Sequence, residues 1–179
     1  RRHIQDRDVF LLKETIKTKL NLEMAATEEM LEIAKKIIPN YVTLVPEKRE
    51  EVTTEGGLDL KSNTKYLKNF VKSLKDSNIE VSAFIDPLSD QINYSKEIEF
   101  DYIELHTGKY AELTGHDQHL ELQRIIESTY LANDLGLVVN AGHGLNYNNV
   151  MKIASINNMN ELNIGHSIVA RALAIGLEK

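Results

Sequence analysis

Two acidic side chains, Glu23 and Glu104, stand within short apolar stretches that have the composition of β-strands. Side chains alternate between the two faces of a strand, so Met24 and the leucines of residues 20–24 share one face and Glu23 takes the other. The same parity separates Glu104 from the apolar side chains of residues 102–106. A carboxylate inside a sheet is costly unless it is paired or hydrogen-bonded. Both glutamates therefore indicate either a functional site, which their position near strand ends favours, or a structural polar network.

Two glycine-histidine turns follow strand-like stretches further along the chain. In the first turn, His143 stands between Gly142 and Gly144, where an imidazole and backbone N–H groups can both approach a ligand. In the second turn, Gly165 and His166 lead directly into the last helical segment. Backbone N–H groups at a helix N-terminus attract anions. The turns predict a phosphorylated substrate, and the alternative reading is a tight turn with a solvated histidine.

Two other polar features have weaker functional readings. Residues 46–57 form a charged loop that ends in Gly56 and Gly57, and it is either a closing lid or a solvated surface loop. His116 and His119 have a spacing compatible with metal binding, but no third ligand is evident nearby. We therefore expect no metal and no cofactor.

The elements that would position these residues alternate between strand and helix periods. Six strand-like runs are predicted at residues 20–24, 41–45, 81–85, 102–106, 137–140 and 162–164, with helical segments between them. Such alternation is typical of a parallel sheet covered by helices, either doubly wound or closed into a barrel. A (β/α)8 TIM barrel of about 250 residues uses about 31 residues per strand-helix unit, so this chain would hold about six of the eight units.

The helical segments have recognisable ends and faces. Helices are predicted at residues 27–38, 61–77, 118–133, 147–156 and 167–177. Thr27 is a plausible N-cap, and Tyr66, Phe70 and Leu74 are expected to form one buried face. We read residues 1–179 as a single barrel domain that lacks its first two strands and part of its C-terminus. Strands 137–140 and 162–164 would then be the seventh and eighth, after which barrels commonly bind phosphate.

Bulk composition excludes several classes of function. The formal charge of −6 offers no broad basic surface, so no nucleic-acid partner is expected. The chain has no cysteine, which rules out disulfides and fits a reducing compartment. No apolar run approaches the roughly 20 residues that cross a bilayer. We expect a cytoplasmic protein without a membrane partner.

Seven stretches resemble the pyridoxine 5'-phosphate synthase family in order along the whole chain. They are residues 1–4 (RRHI), 21–24 (NLEM), 45–49 (VPEKR), 51–57 (EVTTEGG), 104–108 (ELHTG), 140–145 (NAGHGL) and 162–166 (LNIGH). The resemblance implies condensation of 3-amino-2-oxopropyl phosphate with 1-deoxy-D-xylulose 5-phosphate, which gives pyridoxine 5'-phosphate, phosphate and water in bacterial vitamin B6 synthesis. It also implies a homo-octamer.

The resemblance further implies three catalytic residues. Glu23 resembles the family's acid/base glutamate, His143 its general acid, and Glu104 a carboxylate that steadies the transition state. The condensation needs repeated proton transfers, which groups that titrate near neutrality serve best. A glutamate buried away from water would be such a group. The sequence leaves open how dry position 23 is.

Five further residues resemble substrate contacts of the family. His3 and Thr53 resemble contacts to the deoxyxylulose phosphate, and Gly144, Gly165 and His166 resemble contacts to the amino ketone phosphate. Two alternatives stay open. One is another phosphate-binding barrel, an isomerase or an aldolase, although residues 102–106 contain no lysine for a Schiff base. The other is a barrel fragment without catalytic activity.

Overall fold

A computed structural model describes residues 4–47 and 56–177 of the chain. The predicted contacts at His3 and Thr53 lie outside these described residues. Six strands alternate with eight helices in the described part. The strands are β1 (Asn21–Met24), β2 (Tyr41–Leu44), β3 (Glu80–Ile85), β4 (Tyr102–His106), β5 (Val138–Gly142) and β6 (Met159–Asn163). The helices are α1 (Asp6–Thr15), α2 (Glu28–Ile37), α3 (Thr64–Lys75), α4 (Ser89–Ile98), α5 (Gly108–Glu112), α6 (Gly115–Asp134), α7 (Val150–Ala154) and α8 (His166–Ile175).

The six strands form one parallel sheet in the order of the sequence. A doubly wound sheet reverses its strand order at a switch point, whereas a barrel wall adds each new strand on the same side. The order β1 to β6 has no reversal. The chain therefore forms six consecutive strand-helix units of a (β/α)8 barrel, as the sequence predicts.

The outer face of the sheet carries the hydrophobic core. Alternate strand side chains point under the helices and are fully buried, among them Val42, Leu44, Val81, Ala83, Ile85, Ile103 and Leu105. The other face, which would be the inside of a closed barrel, carries polar side chains such as Thr43, Ser82 and Glu104. The strand parity predicted from sequence thus separates a packing face from a polar face.

The predicted N-cap of α2 is confirmed, while the predicted buried face of α3 is correct only in part. Thr27 caps α2 as predicted, because its hydroxyl oxygen accepts from the Met30 N–H at 3.3 Å. The buried face of α3 includes Phe70 and Leu74, but the prediction for Tyr66 is wrong, since this side chain is 43% exposed. Its hydroxyl donates to the Ala26 carbonyl oxygen at 2.9 Å, so the ring lies along the surface with its polar end bonded.

The predicted strands are all present, while several boundaries differ. The last strand covers Met159–Asn163 rather than residues 162–164, because it pairs with β5 from Val139 onward across a register shift. The predicted helix at 147–156 is shorter, at Val150–Ala154, and α4 was not assigned from sequence. Ile92 and Ile98 of α4 are fully buried in the core although the helix is otherwise polar.

Candidate active site

A cavity of about 1020 Å³ opens at the carboxyl ends of the strands. Parallel barrels carry their sites at this end, because the loops that follow the strands converge there. The cavity brings together all the predicted site residues that the structure describes. They are Glu23, Glu104, His143, Gly144, Gly165 and His166. The wall is completed by residues that the sequence did not single out for a role in the site, including Asn21, Phe84, His106 and Asn163.

Glu104 is the buried carboxyl group of the cavity. It lies on β4 in the middle of the sheet, is 4% exposed, and accepts a hydrogen bond from the Asn163 side-chain amide at 2.6 Å. Burial raises the pKa of Glu104 to about 7, and the bond from Asn163 opposes this only in part. The negative charges of Glu23 and Glu161 act in the same direction as burial. Glu104 can therefore hold or release a proton near neutrality.

Gly142 makes room for this carboxyl group. A Cβ atom at position 142 would lie 2.2 Å from Oε1 of Glu104 and 3.1 Å from Cβ of Asn163. These distances are shorter than van der Waals contact, so a side chain at position 142 would displace the Glu104 carboxyl group from its place beside Asn163. The glycine that the sequence assigns to a turn thus also shapes the carboxylate site.

Glu23 has a different environment at the edge of the sheet. It lies on β1, which in the described chain pairs only with β2, and its side chain is exposed. It faces the cavity beside Asn21, whose amide oxygen accepts from the Thr43 hydroxyl at 3.0 Å. Glu23, whose burial the sequence left open, is therefore exposed to solvent in this chain, and the buried carboxyl group is Glu104.

His143 is held by an unusual turn after β5. Its φ angle is +80° and that of Gly144 is +74°, so two successive residues adopt the left-handed region that a histidine rarely occupies. The Thr107 hydroxyl, which is buried, lies 2.6 and 2.7 Å from the carbonyl oxygens of Gly142 and His143 and donates to them. These contacts fix the strained turn and direct His143 into the cavity.

Asp86 and His106 form a pair that the sequence did not identify. Nδ1 of His106 lies 3.3 Å from Oδ1 of Asp86, and the His106 side chain is 7% exposed. The hydrogen bond from His106 holds the pKa of Asp86 below its usual range, and the Gly57 backbone N–H acts in the same direction. The available signal was strand parity, since His106 shares the face of Glu104 and Asp86 follows directly after β3.

The anion-binding turn predicted at Gly165 and His166 lies on the opposite wall. Gly165 is the N-cap of α8 and has no side chain that could accept from the first-turn N–H groups. Ser167 donates to the Leu145 carbonyl oxygen at 3.0 Å, which ties the start of α8 to the turn that carries His143. His166 is exposed to the cavity. Both glycine-histidine turns thus border one space.

The sequence of the chain matches a known protein family over its whole length. The sequence model of the pyridoxal phosphate biosynthesis protein PdxJ matches residues 1–179. The chain belongs to this family. Pyridoxine 5'-phosphate synthase of Prochlorococcus marinus (strain AS9601) is 90% identical over 179 residues, which are 100% of this chain and 75% of that protein. The synthase of Synechococcus sp. (strain CC9311) is 55% identical over the same residues and 72% of its own length. The PdxJ chain is accordingly a synthase of vitamin B6 biosynthesis.

Solved structures with little sequence similarity share the fold. Tryptophan synthase subunit alpha from Campylobacter jejuni superposes with a TM-score of 0.64 at 16% identity, over 98% of this chain and 68% of that chain. The EAL domain of Xanthomonas citri FimX gives a TM-score of 0.60 at 14% identity, over 85% of this chain and 62% of that one. At such low identity these likenesses support the barrel architecture alone.

Membrane-spanning helices and metal-binding clusters are both absent from the described residues. Within residues 4–47 and 56–177, no helix has the length and apolar character needed to cross a membrane. Among the same residues, no three histidine or acidic side chains are grouped so that they could hold a metal ion.

Proposed function

We propose that this PdxJ chain supplies acid/base catalysis for the condensation of 3-amino-2-oxopropyl phosphate with 1-deoxy-D-xylulose 5-phosphate to pyridoxine 5'-phosphate. The observation that carries the proposal is the convergence of Glu23, Glu104 and His143 on one cavity with the Gly165–His166 turn. Proton-transfer groups and an anion site together are what the reaction requires. Joining an amine to a ketone, then removing water and phosphate, moves protons several times.

The three catalytic candidates have environments that suit different steps. In this proposal Glu23 is the acid/base group, because its exposed carboxylate can exchange protons with water and substrate. Glu104, which is buried and has a pKa of about 7, steadies positive charge as a carboxylate or donates a proton as an acid. His143 is the general acid that protonates the leaving oxygen. Its fixed turn supports this role because proton transfer needs a constant geometry.

The substrate phosphates are assigned to the backbone at the ends of the last two strands. Gly144, Gly165 and His166 would contact the phosphate of the amino ketone, where the first-turn N–H groups and the dipole of α8 attract negative charge. A cavity of about 1020 Å³ is at the upper end of the range for small-molecule sites, which supports simultaneous binding of two phosphorylated substrates. His3 and Thr53 are proposed contacts to the deoxyxylulose phosphate from outside the described residues.

Three further proposals concern the setting of the enzyme and rest on the resemblance. We propose that residues 1–179 are one domain, six consecutive units of a barrel whose first two strands and part of whose C-terminus lie beyond this sequence. We also propose a homo-octamer and a cytoplasmic location. Light scattering of the purified complete protein tests the octamer, because it gives the mass in solution without reference to activity.

The decisive test is product formation by the complete protein from the two purified substrates. Pyridoxine 5'-phosphate and inorganic phosphate should appear in equal amounts. A protein that binds both substrates but releases neither product would contradict the proposed reaction. A crystal soaked with phosphate tests the anion site separately, since phosphate should bind at the Gly165 and His166 backbone. Density for phosphate only at other places would exclude that assignment.

A further inference from the structure

His106 is a buried histidine in the cavity wall to which the proposed mechanism gives no role. Its ring packs between two other rings, with centroid distances of 5.0 Å to Phe84 and 4.9 Å to His143. Within residues 4–47 and 56–177, its Nε2 atom has no hydrogen-bond partner and is buried. A buried polar atom without a partner costs free energy, so its presence beside a catalytic candidate calls for a functional reason.

Asp86 determines which nitrogen of His106 carries the proton. The hydrogen bonds that Asp86 accepts from His106 and from the Gly57 backbone keep it ionised. An ionised carboxylate can only accept hydrogen bonds, so the nitrogen that faces it, Nδ1, must be the N–H donor. In a neutral ring the other nitrogen, Nε2, then carries a lone pair and can only accept.

Nε2 of His106 and Cδ2 of His143 both lie beside Gly108, at adjoining edges of the two rings. A Cβ atom at position 108 would lie 2.7 Å from Nε2 of His106 and 2.9 Å from Cδ2 of His143. The two imidazole edges therefore meet over the backbone of Gly108, and any side chain at that position would separate them. Gly108 is thus needed for the two histidines to approach each other.

We propose that His106 is a positioning residue for His143, and that Asp86 acts through His106 by fixing the Nδ1–H tautomer. The inference rests on the proposed role of His143 as general acid. A neutral acceptor beside His143 favours the ring orientation that places the partly positive C–H edge at Cδ2 next to Nε2 of His106. If the tautomer of His106 reversed, an N–H group would face His143 and oppose that orientation.

Other titratable groups surround this pair and bear on any pH dependence. Asp86 follows β3 and is bonded to His106, Glu104 on β4 lines the cavity, and Lys109 on α5 acts on Asp86 through its charge. Glu23 and His166 line the same cavity. Since several ionisable groups line this cavity, the test relies on tautomer state and on matched amide variants rather than on a pH profile.

Two amide variants of His106 in the complete protein separate positioning from packing. His106→Gln places an amide near the former Nε2, whereas His106→Asn places one near the former Nδ1, where it still meets Asp86. Positioning predicts that the Gln variant retains most of the wild-type kcat and that the Asn variant loses about 10- to 100-fold, with similar KM values. A packing role predicts the reverse order, because the Asn variant keeps the bond to Asp86. That reverse order would overturn the inference.

Ring ¹⁵N NMR spectra test the tautomer without any synthase assay. The wild-type protein should show His106 protonated at Nδ1 and bare at Nε2, and Asp86→Asn should produce a mixture of tautomers. The His143 ring signals should shift in the Asn variant and not in the Gln variant of His106. A wild-type His106 protonated at Nε2 would refute the inference.

His143→Gln, measured alongside, keeps failure of the inference distinct from failure of the proposed function. Wild-type kcat in this variant would remove His143 as general acid, and the inference would fall with it. An inactive His143→Gln together with an Asp86→Asn variant of wild-type kcat and unchanged tautomer would leave the proposed function intact and refute only the positioning role.

Discussion

The central strands β3 to β5 and the edge strand β1 place acidic residues in the same cavity under opposite conditions. Glu104 is almost fully buried, bonded to Asn163 and confined by Gly142, while Glu23 is exposed on a strand that has one neighbour among residues 4–47 and 56–177. A carboxyl group in the middle of the sheet must be desolvated by the strands on both sides, whereas one at the edge keeps its water. Position in the sheet, rather than residue type, therefore decides which glutamate is tuned toward neutrality.

The largest expected effect is a loss of catalysis when Glu23 on the edge strand β1 is replaced. Glu23→Gln in the complete protein should lower kcat by about 10²- to 10⁴-fold, because it removes a proton-transfer group at nearly constant volume. The melting temperature should stay close to that of wild type, since glutamine has nearly the same volume as glutamate. Steady-state kinetics and thermal unfolding measure both. A variant with near wild-type turnover would remove Glu23 from the mechanism.

The next effect is on the pH dependence of folding stability, and it comes from Glu104 on the central strand β4. The pKa of Glu104 is raised in the folded state to about 7 from its ordinary 4.5, so the folded chain binds this proton more tightly than the unfolded chain does. The contribution is fully present below pH 4.5 and is lost as pH rises through 7, by an amount on the order of 3 kcal/mol. Glu104→Gln should flatten this decline, because glutamine does not titrate.

Urea unfolding of wild type and Glu104→Gln between pH 5 and pH 8 measures the difference. Glu23→Gln serves as the matched control, because it makes the same substitution at an exposed position of the same cavity. If the free energy of unfolding changed with pH to the same extent in wild type and in Glu104→Gln, Glu104 would not be a protonated, buried group.

A smaller effect is expected where the loop after β2 meets the end of β3. A Cβ atom at Gly57 would lie 2.4 Å from the Asp86 backbone nitrogen and 2.5 Å from Ile85, so Gly57→Ala must displace backbone and should cost about 1 to 3 kcal/mol. The neighbouring Gly56→Ala is a matched control, because among the described residues its Cβ would meet only the Asp86 side chain, at an ordinary 3.4 Å. Denaturant unfolding should separate the two variants. Equal stabilities would mean that this junction yields easily.

Sequence reasoning reached much of this arrangement because strand parity is local. The alternation in residues 20–24 and 102–106 correctly placed Glu23 and Glu104 on the polar face, and the glycine-histidine turns were correctly placed at the strand ends. Tyr66 was misplaced because its helical spacing matched the buried face while its hydroxyl found a surface partner. The Asp86–His106 pair depends on two strands that are adjacent in space and 20 residues apart in sequence, so no local pattern contains it.

The smallest effect on stability should come from removing the side-chain hydrogen bond between Thr43 on β2 and Asn21 on β1. The Thr43 hydroxyl donates to the Asn21 amide oxygen at 3.0 Å, and Thr43 itself is buried. Thr43→Val keeps the shape and removes the bond. The Asn21 oxygen is half-buried and can accept from water instead, so the loss should be only about 0.5 to 1 kcal/mol.

The same kind of change in the centre, Asn163→Ala, deprives the buried Glu104 of its donor and should cost more, about 1.5 to 3 kcal/mol, when Glu104 is ionised. Chemical denaturation of both variants at pH 8 compares the two regions directly. Equal losses would mean that the edge is as dry as the centre, which would remove the physical basis for treating Glu23 and Glu104 as different groups.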